Sequence, residues 1–411
     1  MEQEIFSKLR EAAGRFRLDL EGGTVRRSSS RFCLGIEHGD YNGMELFGVG
    51  TDRFIWLAFK TNSIGRIRVH SLNFPDDPSV DFALGEECPA ESVKDSWERF
   101  PRGVEAILRR EGYSLKKGFD AVLYGNIPGG GMSRSASLTL NLILTLLEVN
   151  GIPDEGGMRV VDLAQMVEND YIGSPCGKLD QIMIYHAREG MGTYFHPDTG
   201  KVDHIPFGGD ADSFRIVSLD TGTKRPGLEK STYRIRRAEC DTMKAQLSSA
   251  LGISSLAEIS DPAVYEKAVA FLKSSDSPSL PRLKYLREAQ SRFQETLSAW
   301  RAGDIGKVGA NFRADGIGLR DDYRISGKEL ETMCDIARTV DGVLGERMLG
   351  GGDKGASGAL IRADAFDTLK AAVERAYPLA HPDFADSFAI HSCRSVDGIV
   401  SFPFPSAGET V

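Results

Sequence analysis

Paired cysteines are absent from this sequence, which has only six cysteines in 411 residues and no CxxC pair. Its histidines and cysteines likewise form no cluster at the spacing of a zinc site. Scattered thiols in a chain of this length favour reduced cysteines over disulfides, and the N-terminal segment lacks the apolar core of a secretory signal. We therefore expect a cytoplasmic protein. The cysteines are Cys33, Cys88, Cys176, Cys240, Cys334 and Cys393.

Long apolar runs and basic blocks are also missing. The most apolar stretch, ASLTLNLILTLLEV at residues 136–149, is too short to cross a bilayer and contains Asn141 and Glu148. It predicts a buried core helix. A net charge of −9 without a basic block argues against a nucleic-acid surface. We expect neither a membrane nor a nucleic acid as partner.

The length and the order of the predicted elements indicate two mixed α/β domains. A chain of 411 residues is long for one hydrophobic core. Predicted strands and helices alternate without the regular βαβ repeat of Rossmann or TIM folds, which favours an α+β class with mixed sheets in two layers. A hairpin predicted within residues 190–207 is followed by a Gly/Asp-rich stretch, where we place the boundary. The expected domains are residues 1–210 and 211–411.

Local patterns predict the individual elements. Residues 31–60 are predicted to form a strand, a polar loop and a second strand. Residues 119–126 are predicted to form a buried strand that enters a glycine-rich loop. A long helical region is expected from about residue 227 to 301. Near the C-terminus, HSCRSVDGIVSF at residues 391–402 predicts one closing strand.

The sequence GGGMSRSA, residues 129–136, places a glycine-rich turn in front of the predicted core helix. It fails the dinucleotide pattern G-x-G-x-x-G because the sixth position is Arg134, and it lacks the Gly-Lys-Ser/Thr end of a Walker A loop. An NAD-dependent oxidoreductase is therefore disfavoured. Free N–H groups at a helix start attract anions, and a serine hydroxyl can ligate Mg²⁺. The other interpretation is a structural turn with Ser133 as N-cap.

This turn resembles the phosphate loop of the GHMP kinases, and within them of the galactokinases, P-x-G-x-G-L-S-S-S-A. The segment PGGGMSRSA, residues 128–136, is one residue shorter and has Arg134 in place of the middle serine. The resemblance implies a kinase that uses ATP and Mg²⁺. It also implies an N-terminal domain like ribosomal protein S5 domain 2, a C-terminal ferredoxin-like domain and an active site between them. The implied nucleotide-binding residues are Gly129, Gly130, Gly131, Ser133, Arg134 and Ser135.

A second motif resembles the galactokinase signature G-R-V-N-L-I-G-E-H-T-D-Y-N-G. It is SRFCLGIEHGDYNG, residues 30–43, and aligns without gaps. By this resemblance Arg31 lies beside the reacting hydroxyl. Glu37, His38 and Asp40 would bind sugar hydroxyls, a role that suits a carboxylate because it accepts hydrogen bonds from neighbouring hydroxyls. The alternative is a polar turn whose side chains bond only to the backbone.

A third segment, GSPCGKLDQIM from Gly173, resembles the family's C-G-x-M-D-Q segment. It makes Asp180 the implied catalytic aspartate, paired with Arg31, and Gly177 a backbone contact of the sugar. A positive charge beside Asp180 would keep its carboxylate ionised. A nucleophilic thiol at Cys176 is disfavoured, since no histidine lies near it in sequence.

The metal and one further sugar contact are also implied by the resemblance. Glu168 stands at the family's metal-binding glutamate and, with Ser135, would ligate Mg²⁺. The alternative for Glu168 is a solvated helix face. STYRIRRAEC resembles the galactokinase run S-x-Y-N-x-R-R-x-E-C, which makes Tyr233 a sugar contact, whereas the basic residues that follow are expected to pair with Glu239.

One segment of the C-terminal half resembles a galactokinase motif, and another departs from the galactokinase pattern. GERMLGGGDKGASGAL, residues 345–360, resembles the third galactokinase motif G-x-R-M-T-G-G-G-F-G-G and is expected to support the phosphate loop. Asp353 and Lys354 stand where the family has Phe-Gly. ADGIG, residues 314–318, resembles the galacturonate- and arabinose-kinase branches instead, although Glu37 favours galactose.

We therefore predict a galactokinase-like kinase that phosphorylates the anomeric hydroxyl of galactose or a galactose-configured sugar. One alternative is a galacturonate- or arabinose-type 1-kinase, in which Arg26, Arg27 or Lys354 would meet a carboxylate. Another is a non-catalytic protein that senses galactose and ATP, which the shortened loop and Arg134 leave open. The expected partners are a small sugar and ATP, and the chain is expected to be a monomer or a weak homo-oligomer.

Overall fold

The computed structural model describes residues 2–224 and 231–404, whose strands form one sheet of eight strands and one of four. The larger sheet contains β1 (Thr24–Gly35), β2 (Leu46–Asn62), β3 (Arg66–Ser71), β4 (Ser79–Ala83), β5 (Gly118–Gly125), β6 (Met191–His196), β7 (Lys201–Pro206) and β12 (Ile399–Pro403). Its strand order is β12-β1-β2-β5-β3-β4, and β6 pairs with both β2 and β7. The sheet is mixed, because β3 and β5 are parallel while β1 and β2 are antiparallel.

The two faces of the larger sheet are covered by different helices. Along β2, Leu57 and Phe59 belong to the core shared with α3, whereas Trp56 and Ala58 belong to the cluster formed with α1. This alternation is the two-residue period of a strand. Helix α3 is the predicted core helix, and it is buried on nearly all sides. The helices of this part are α1 (Glu2–Arg15), α2 (Arg99–Arg110), α3 (Arg134–Val149), α4 (Arg159–Met166) and α5 (Leu179–Tyr185).

The smaller sheet is antiparallel, with the order β11-β8-β10-β9. Its strands are β8 (Phe214–Asp220), β9 (Val343–Met348), β10 (Ala356–Arg362) and β11 (Ala389–Cys393). Helices α10 and α11 pack on it around buried residues such as Leu219 and Ala359. The helices of this part are α6 (Thr232–Leu251), α7 (Pro262–Ser274), α8 (Leu280–Ala302), α9 (Ile305–Gly318), α10 (Lys328–Arg338) and α11 (Phe366–Ala380).

The long helical region predicted from about residue 227 to 301 begins outside the described residues, and its described part, from residue 231, contains the three helices α6 to α8. Gly252 ends α6 in the left-handed conformation, at φ +75°. Asp261 then begins α7, where its side chain accepts hydrogen bonds from Ala263 N and Val264 N. Within residues 2–224 and 231–404, no helix combines the length and the apolarity that a membrane span requires.

The prediction of one closing strand is wrong, because residues 391–402 contribute to two strands in different sheets. β11 pairs with β8, and β12 pairs with β1. Between them Gly398 N donates to Ala187 O over 3.0 Å, and a Cβ on Gly398 would lie 1.8 Å from Ile184 O. This close backbone contact interrupts the strand and directs the chain from one sheet to the other.

The expected boundary between residues 210 and 211 lies between β7 and β8, which belong to different sheets. We propose that each sheet and its helices form one domain, and that β12 returns the C-terminal segment to the first. A cleft between such units is a favoured place for a ligand, since both can contribute side chains to it.

Candidate active site

A cavity of about 510 Å³ lies where the end of β1, the glycine-rich turn, the start of α5 and the turn after β9 meet. Its lining includes every residue that the sequence motifs assigned to catalysis, sugar, nucleotide or metal. These residues are Arg31, Glu37, His38, Asp40, Gly129, Gly130, Gly131, Ser133, Arg134, Ser135, Glu168, Gly177, Asp180 and Tyr233.

An ion pair between Arg31 and Asp180 occupies the middle of this lining. Arg31 is 1% exposed, and its Nε donates to Asp180 Oδ1 over 2.7 Å. A second nitrogen, Nη1, donates to Gly131 O over 3.0 Å. Burial opposes the charge on Arg31, but Asp180 and Glu37 outweigh it and raise the pKa of the guanidinium. The pair therefore connects the first turn of α5 to the glycine-rich turn with a fixed positive charge.

Glu37 is buried behind this pair between two arginines. Its Oε2 accepts a hydrogen bond from Arg347 Nη2 over 2.7 Å, and its Oε1 lies 3.6 Å from Arg31 Nη2. Arg347 also pairs with the buried Asp315, and Tyr285 Oη donates to Glu37 O over 3.0 Å. Burial raises the pKa of Glu37 despite both arginines. The carboxylate is thus held in place by charge on two sides.

Sequence reasoning missed Arg347 as a contributor to the site. It is fully buried at the end of β9, and it also donates to Cys33 O over 2.9 Å. The available signal was its position in the motif GERMLGGG, three residues before Gly350. A basic residue in a strand pattern gives no indication of which distant carboxylate it will meet.

The residues assigned to the sugar, which include His38, Asp40, Gly177 and Tyr233, line one part of the cavity, called here the sugar side. His38 adopts a left-handed conformation, at φ +62°, and its Nδ1 lies 3.0 Å from Tyr41 Oη. Asp40 Oδ2 accepts a hydrogen bond from Leu179 N over 3.0 Å, and burial raises the pKa of this carboxyl. A Cβ on Gly177 would fall 1.8 Å from Asp40 Oδ2. Glycine is therefore required at residue 177 so that Asp40 can approach the backbone.

The alternative of a purely structural turn describes Asn42 better than Asp40. Asn42 is buried and its Nδ2 donates to His38 O over 2.7 Å, which closes the turn. Asp40 also bonds to backbone, but it lines the cavity as well. One residue of the motif thus holds the loop, while another is available to a ligand.

Tyr233 lies at the first turn of α6 and brings the C-terminal part of the chain into the sugar side. Its ring is buried, 5.4 Å from the His38 ring and 5.6 Å from the Tyr41 ring. The basic residues that follow behave as expected, since Arg236 Nη1 donates to Glu239 Oε1 over 2.6 Å. Only the tyrosine of this segment's motif lines the cavity.

The glycine-rich turn is shaped by contact with the turn after β9. A Cβ on Gly130 would lie 2.6 Å from Gly355 Cα, and Gly131 adopts φ +80°. Gly129 N donates to Asp220 Oδ2, at the end of β8, over 3.2 Å. The third glycine motif thus supports this turn from the C-terminal half, as the sequence predicts. Side chains at these positions would separate the two turns.

Ser133 does not cap α3 with its side chain. It precedes the helix in a left-handed conformation, at φ +62°, without a capping bond. Its hydroxyl is buried and has no hydrogen-bond partner among the residues that the structure describes. Ser133 therefore occupies the N-cap position without making a capping bond, and its buried hydroxyl lies at the cavity wall.

Arg134, the main departure from the family's loop, is the first residue of α3 and lines the cavity with an exposed side chain. Asp220 is near enough to act on its charge. A cation at the start of a helix adds to the positive end of the helix dipole. The cavity wall at this point is therefore suited to an anionic group.

Glu168 is buried, not on a solvated helix face as the alternative supposed. It is 5% exposed on the π-helical segment Val167–Ile172, and its Oε2 accepts a hydrogen bond from Ser135 Oγ over 3.3 Å. Gln181 Nε2 donates to its Oε1 over 3.4 Å. Burial, together with the charge of Asp180, raises the pKa of Glu168 to about 8. A buried carboxylate beside a second carboxylate and a hydroxyl is a suitable environment for a hard cation.

Cys176 is buried and lies in the same wall. Burial raises the pKa of its thiol well above the ordinary value, and Glu168 adds to the shift. A reactive cysteine requires the opposite shift, since the thiolate is the nucleophile. The cysteine is therefore a packing residue.

The far end of the cavity contains aromatic residues that no sequence motif indicated. The rings of Phe74 and Trp97 stack with a centroid distance of 5.8 Å and an angle of 2° between planes. Lys94 and Arg99 line the same cavity. These residues belong to loops and to the start of α2, where sequence offers only scattered aromatic and basic residues.

Comparison with known proteins identifies the family of this chain. The family described as GHMP kinases N terminal domain matches residues 99–188, which contain the glycine-rich turn, Glu168 and Asp180. The galactokinase of Limosilactobacillus fermentum is 30% identical over 380 residues, which cover 92% of this chain and 94% of that protein. The chain belongs to the galactokinase family. A second galactokinase, from Streptococcus mutans, is 32% identical over 354 residues, covering 85% of this chain and 88% of its own.

Solved structures of GHMP kinases share the fold. The crystal structure of Lactococcus lactis galactokinase complexed with galactose has a TM-score of 0.87 and 27% identity, and covers 96% of this chain and 99% of its own. Methanococcus jannaschii mevalonate kinase superimposes with a TM-score of 0.62 at 16% identity, covering 91% of this chain and 98% of its own. The latter likeness concerns the fold alone. This galactokinase family member is a sugar kinase with the mixed α/β fold of GHMP kinases.

Proposed function

We propose that this protein transfers the γ-phosphoryl group of ATP to the anomeric hydroxyl of galactose, releasing ADP and galactose 1-phosphate. The observation that carries the proposal is the Arg31–Asp180 ion pair in the lining of the cavity. A glycine-rich helix start lies on one side of it, and acidic and aromatic groups suited to a sugar lie on the other. Such a pair can place a base and a positive charge beside the reacting atoms.

Asp180 is the group placed to accept the proton of the anomeric hydroxyl. Its side chain remains 34% exposed although Arg31 holds it. As the hydroxyl oxygen attacks the γ-phosphorus, the bond from that phosphorus to the bridging oxygen breaks, and ADP leaves with the oxygen. Arg31 also bonds to Gly131 O, so its charge lies between the base and the phosphate loop. Positioning and charge stabilisation of this kind dominate phosphoryl transfer.

The nucleotide would lie along the glycine-rich turn. The first turn of α3 offers backbone N–H groups and the positive end of its dipole to the phosphates. The buried hydroxyl of Ser133 and the side chain of Arg134 add donors at the same wall. The stacked rings of Phe74 and Trp97 offer a flat apolar surface for the base.

Ser135 and Glu168 would hold Mg²⁺ in this arrangement. Their side-chain oxygens are 3.3 Å apart, and both are the hard ligands that this ion prefers. Within the described ranges no group of three histidine, cysteine or acidic side chains gathers as a metal site, so phosphate oxygens and water would complete the shell. Bound there, the ion would neutralise charge on the phosphates.

A neutral sugar fits the cavity better than a uronate. None of the three cations that the sequence offered for a uronate carboxylate lines the cavity: Arg26 pairs with Glu148, Arg27 pairs with Glu2, and Lys354 is outside the lining. In the lining of the described cavity the sugar side is acidic, with Glu37 and Asp40. Carboxylates accept hydrogen bonds from sugar hydroxyls but would repel a uronate. The Lactococcus lactis relative was solved with galactose, which agrees with this choice.

Three further properties belong to the proposal. Mg²⁺ is the proposed metal, the cytoplasm the proposed location, and a monomer or weak homo-oligomer the proposed state. All six cysteines are free thiols, which is compatible with a reducing compartment.

The decisive experiment measures ADP release by the purified chain with galactose, arabinose, glucose and galacturonate, each with ATP and Mg²⁺. Phosphorus NMR of the product would identify the phosphorylated position. We expect turnover with galactose and an anomeric phosphate. Turnover with galacturonate alone would replace the proposed substrate. Binding of galactose and ATP without any ADP release would point to the sensing alternative instead.

A further inference from the structure

The turn after β9 contains an aspartate in an unusual conformation. Asp353 adopts φ +58°, in the left-handed region where side chains other than glycine cost roughly 1–2 kcal/mol. It stands where the galactokinase motif has phenylalanine. Aspartate is among the residues that tolerate this region best, since its short polar side chain can form local hydrogen bonds.

The carboxylate of Asp353 caps helix α6, which lies 121 positions away in the chain. Its Oδ2 accepts a hydrogen bond from Thr232 N, the first residue of α6, over 2.5 Å. Ser231, at the N-cap position, makes no capping bond with its own side chain. A negative charge at the start of a helix also interacts favourably with the helix dipole. Asp353 therefore caps α6 from a turn that is distant in the sequence.

The turn that presents this carboxylate is itself held by backbone contacts. Asp353 N donates to Ile325 O over 2.8 Å, and a Cβ on Gly327 would lie 1.8 Å from Asp353 O. Residues of the same turn, Gly350 and Gly351, line the active-site cavity. The cap therefore comes from a turn that packs closely against its neighbours and belongs to the cavity wall.

Tyr233 follows the capped residue directly. Its ring is buried in the sugar side of the cavity, next to His38. A helix frays most easily at its first turn, where the backbone N–H groups lack partners within the helix. Fixing Thr232 N therefore limits movement of the adjacent tyrosine.

We propose that Asp353 is a positioning residue that holds Tyr233 against the sugar by capping α6 across the chain. This proposal rests on the proposed function, because it concerns the sugar subsite of the same cavity. Asp353 lies outside the cavity lining, and its carboxylate acts on the sugar side through Thr232 N and the adjacent Tyr233. Sugar affinity should therefore respond to its loss, while nucleotide affinity should not.

The test compares D353G with D353N in the full chain. Glycine suits φ +58° and removes the hydrogen-bond acceptor, whereas asparagine suits that conformation and keeps an acceptor. We expect D353G to raise KM for galactose about fivefold, the equivalent of one lost cap, and to leave KM for ATP within about twofold. D353N should retain a galactose KM close to that of the unmodified chain. Isothermal titration calorimetry should show weaker galactose binding by D353G, and binding by D353N close to that of the unmodified chain.

D261A is the matched control, because Asp261 caps α7 through Ala263 N over 2.7 Å and lies outside the cavity lining. It should lower the unfolding temperature without changing KM for galactose. An unchanged galactose KM in folded D353G would overturn the proposal. So would equal increases in both KM values, or a D353N that behaves like D353G. If the unmodified chain shows no sugar turnover, the proposed function fails instead, and galactose titration still tests Asp353.

Discussion

Arg31 and Asp180 come from segments 149 positions apart and meet in a hydrogen bond of 2.7 Å from Arg31 Nε to Asp180 Oδ1. The arginine is buried, whereas the carboxylate is partly open to the cavity. This difference in exposure leaves the base accessible and the cation fixed. The pair contacts the glycine-rich turn through Arg31 and lines the same cavity as the residues assigned to the sugar.

Replacing Asp180 with asparagine should remove catalysis but not sugar binding. Asparagine keeps an oxygen for Arg31 Nε but cannot accept a proton from the anomeric hydroxyl. We expect kcat to fall by about 10²- to 10⁴-fold, the usual contribution of a general base. Steady-state ADP release gives kcat, and calorimetry with galactose gives binding. D170N, on an exposed residue of the same chain region, should retain activity. An active D180N enzyme would contradict the assignment.

Replacing Arg134 with serine, the residue usual in the family's loop, should weaken nucleotide binding. A charged hydrogen bond to phosphate contributes roughly 1.5–3 kcal/mol, so KM for ATP should rise about tenfold or more, with KM for galactose unchanged. The measurement is initial rate against ATP concentration at fixed galactose. R66S, whose arginine pairs with Asp81 outside the cavity, is the control. An unchanged ATP KM would show that Arg134 does not contact the phosphates.

Changing Glu168 to glutamine should increase the Mg²⁺ requirement. The variant keeps the shape of the side chain but cannot ionise, whereas Glu168 can release its proton and offer a bound cation a charged oxygen. We expect the half-saturating Mg²⁺ concentration to rise about tenfold or more, with partial recovery of kcat at high Mg²⁺. Activity is titrated against free Mg²⁺ at constant ATP. The control variant D170N should have the same Mg²⁺ dependence as the unmodified chain. If E168Q also has that dependence, Glu168 is not a ligand of the metal.

Loss of Arg347 should destabilise the fold as well as the sugar site. R347M leaves Glu37 and Asp315 buried without their shared cation, which typically costs about 3–5 kcal/mol. Urea denaturation of R347M should show this loss in the free energy of unfolding. R362M removes an exposed arginine that pairs with Asp341, and it should change the denaturation midpoint little. Equal effects of the two variants would contradict the importance of the buried cluster.

His186 should make stability depend on pH in mildly acidic solution. Burial lowers its pKa to about 4, and the neighbouring His204 adds to the shift. Between about pH 4 and the unfolded value of about 6.5, the unfolded chain binds a proton that the folded chain does not. The free energy of unfolding should therefore fall as pH drops through this window, by about 2 kcal/mol after allowance for partial exposure.

Urea denaturation at pH 7 and pH 4.5 measures this dependence. Other groups also titrate in the window, so the comparison is with H186N, which cannot gain the proton. The unmodified chain should lose more stability than H186N between the two pH values. Identical losses would mean that His186 contributes nothing to the acid sensitivity.

The parts of the site that short segments encode could be predicted from the amino-acid sequence. A glycine-rich turn before an apolar helix, and the strand–turn–strand of residues 31–60, form largely from contacts between near neighbours. Their motifs also identified the class of chemistry, because the residue types needed for phosphate and sugar recognition are few. For this reason all the residues expected in the site line the same cavity.

The distant groups that complete the site could not be predicted, because they come together only when the chain folds. Arg347 reaches Glu37 across 310 positions, Asp353 caps α6, and the C-terminal strand β12 joins the first sheet. A sequence pattern records what a residue prefers near itself, such as a strand or a turn. It does not record which buried charge or helix N-terminus that residue will contact after folding, since this depends on how the two sheets and their helices pack together.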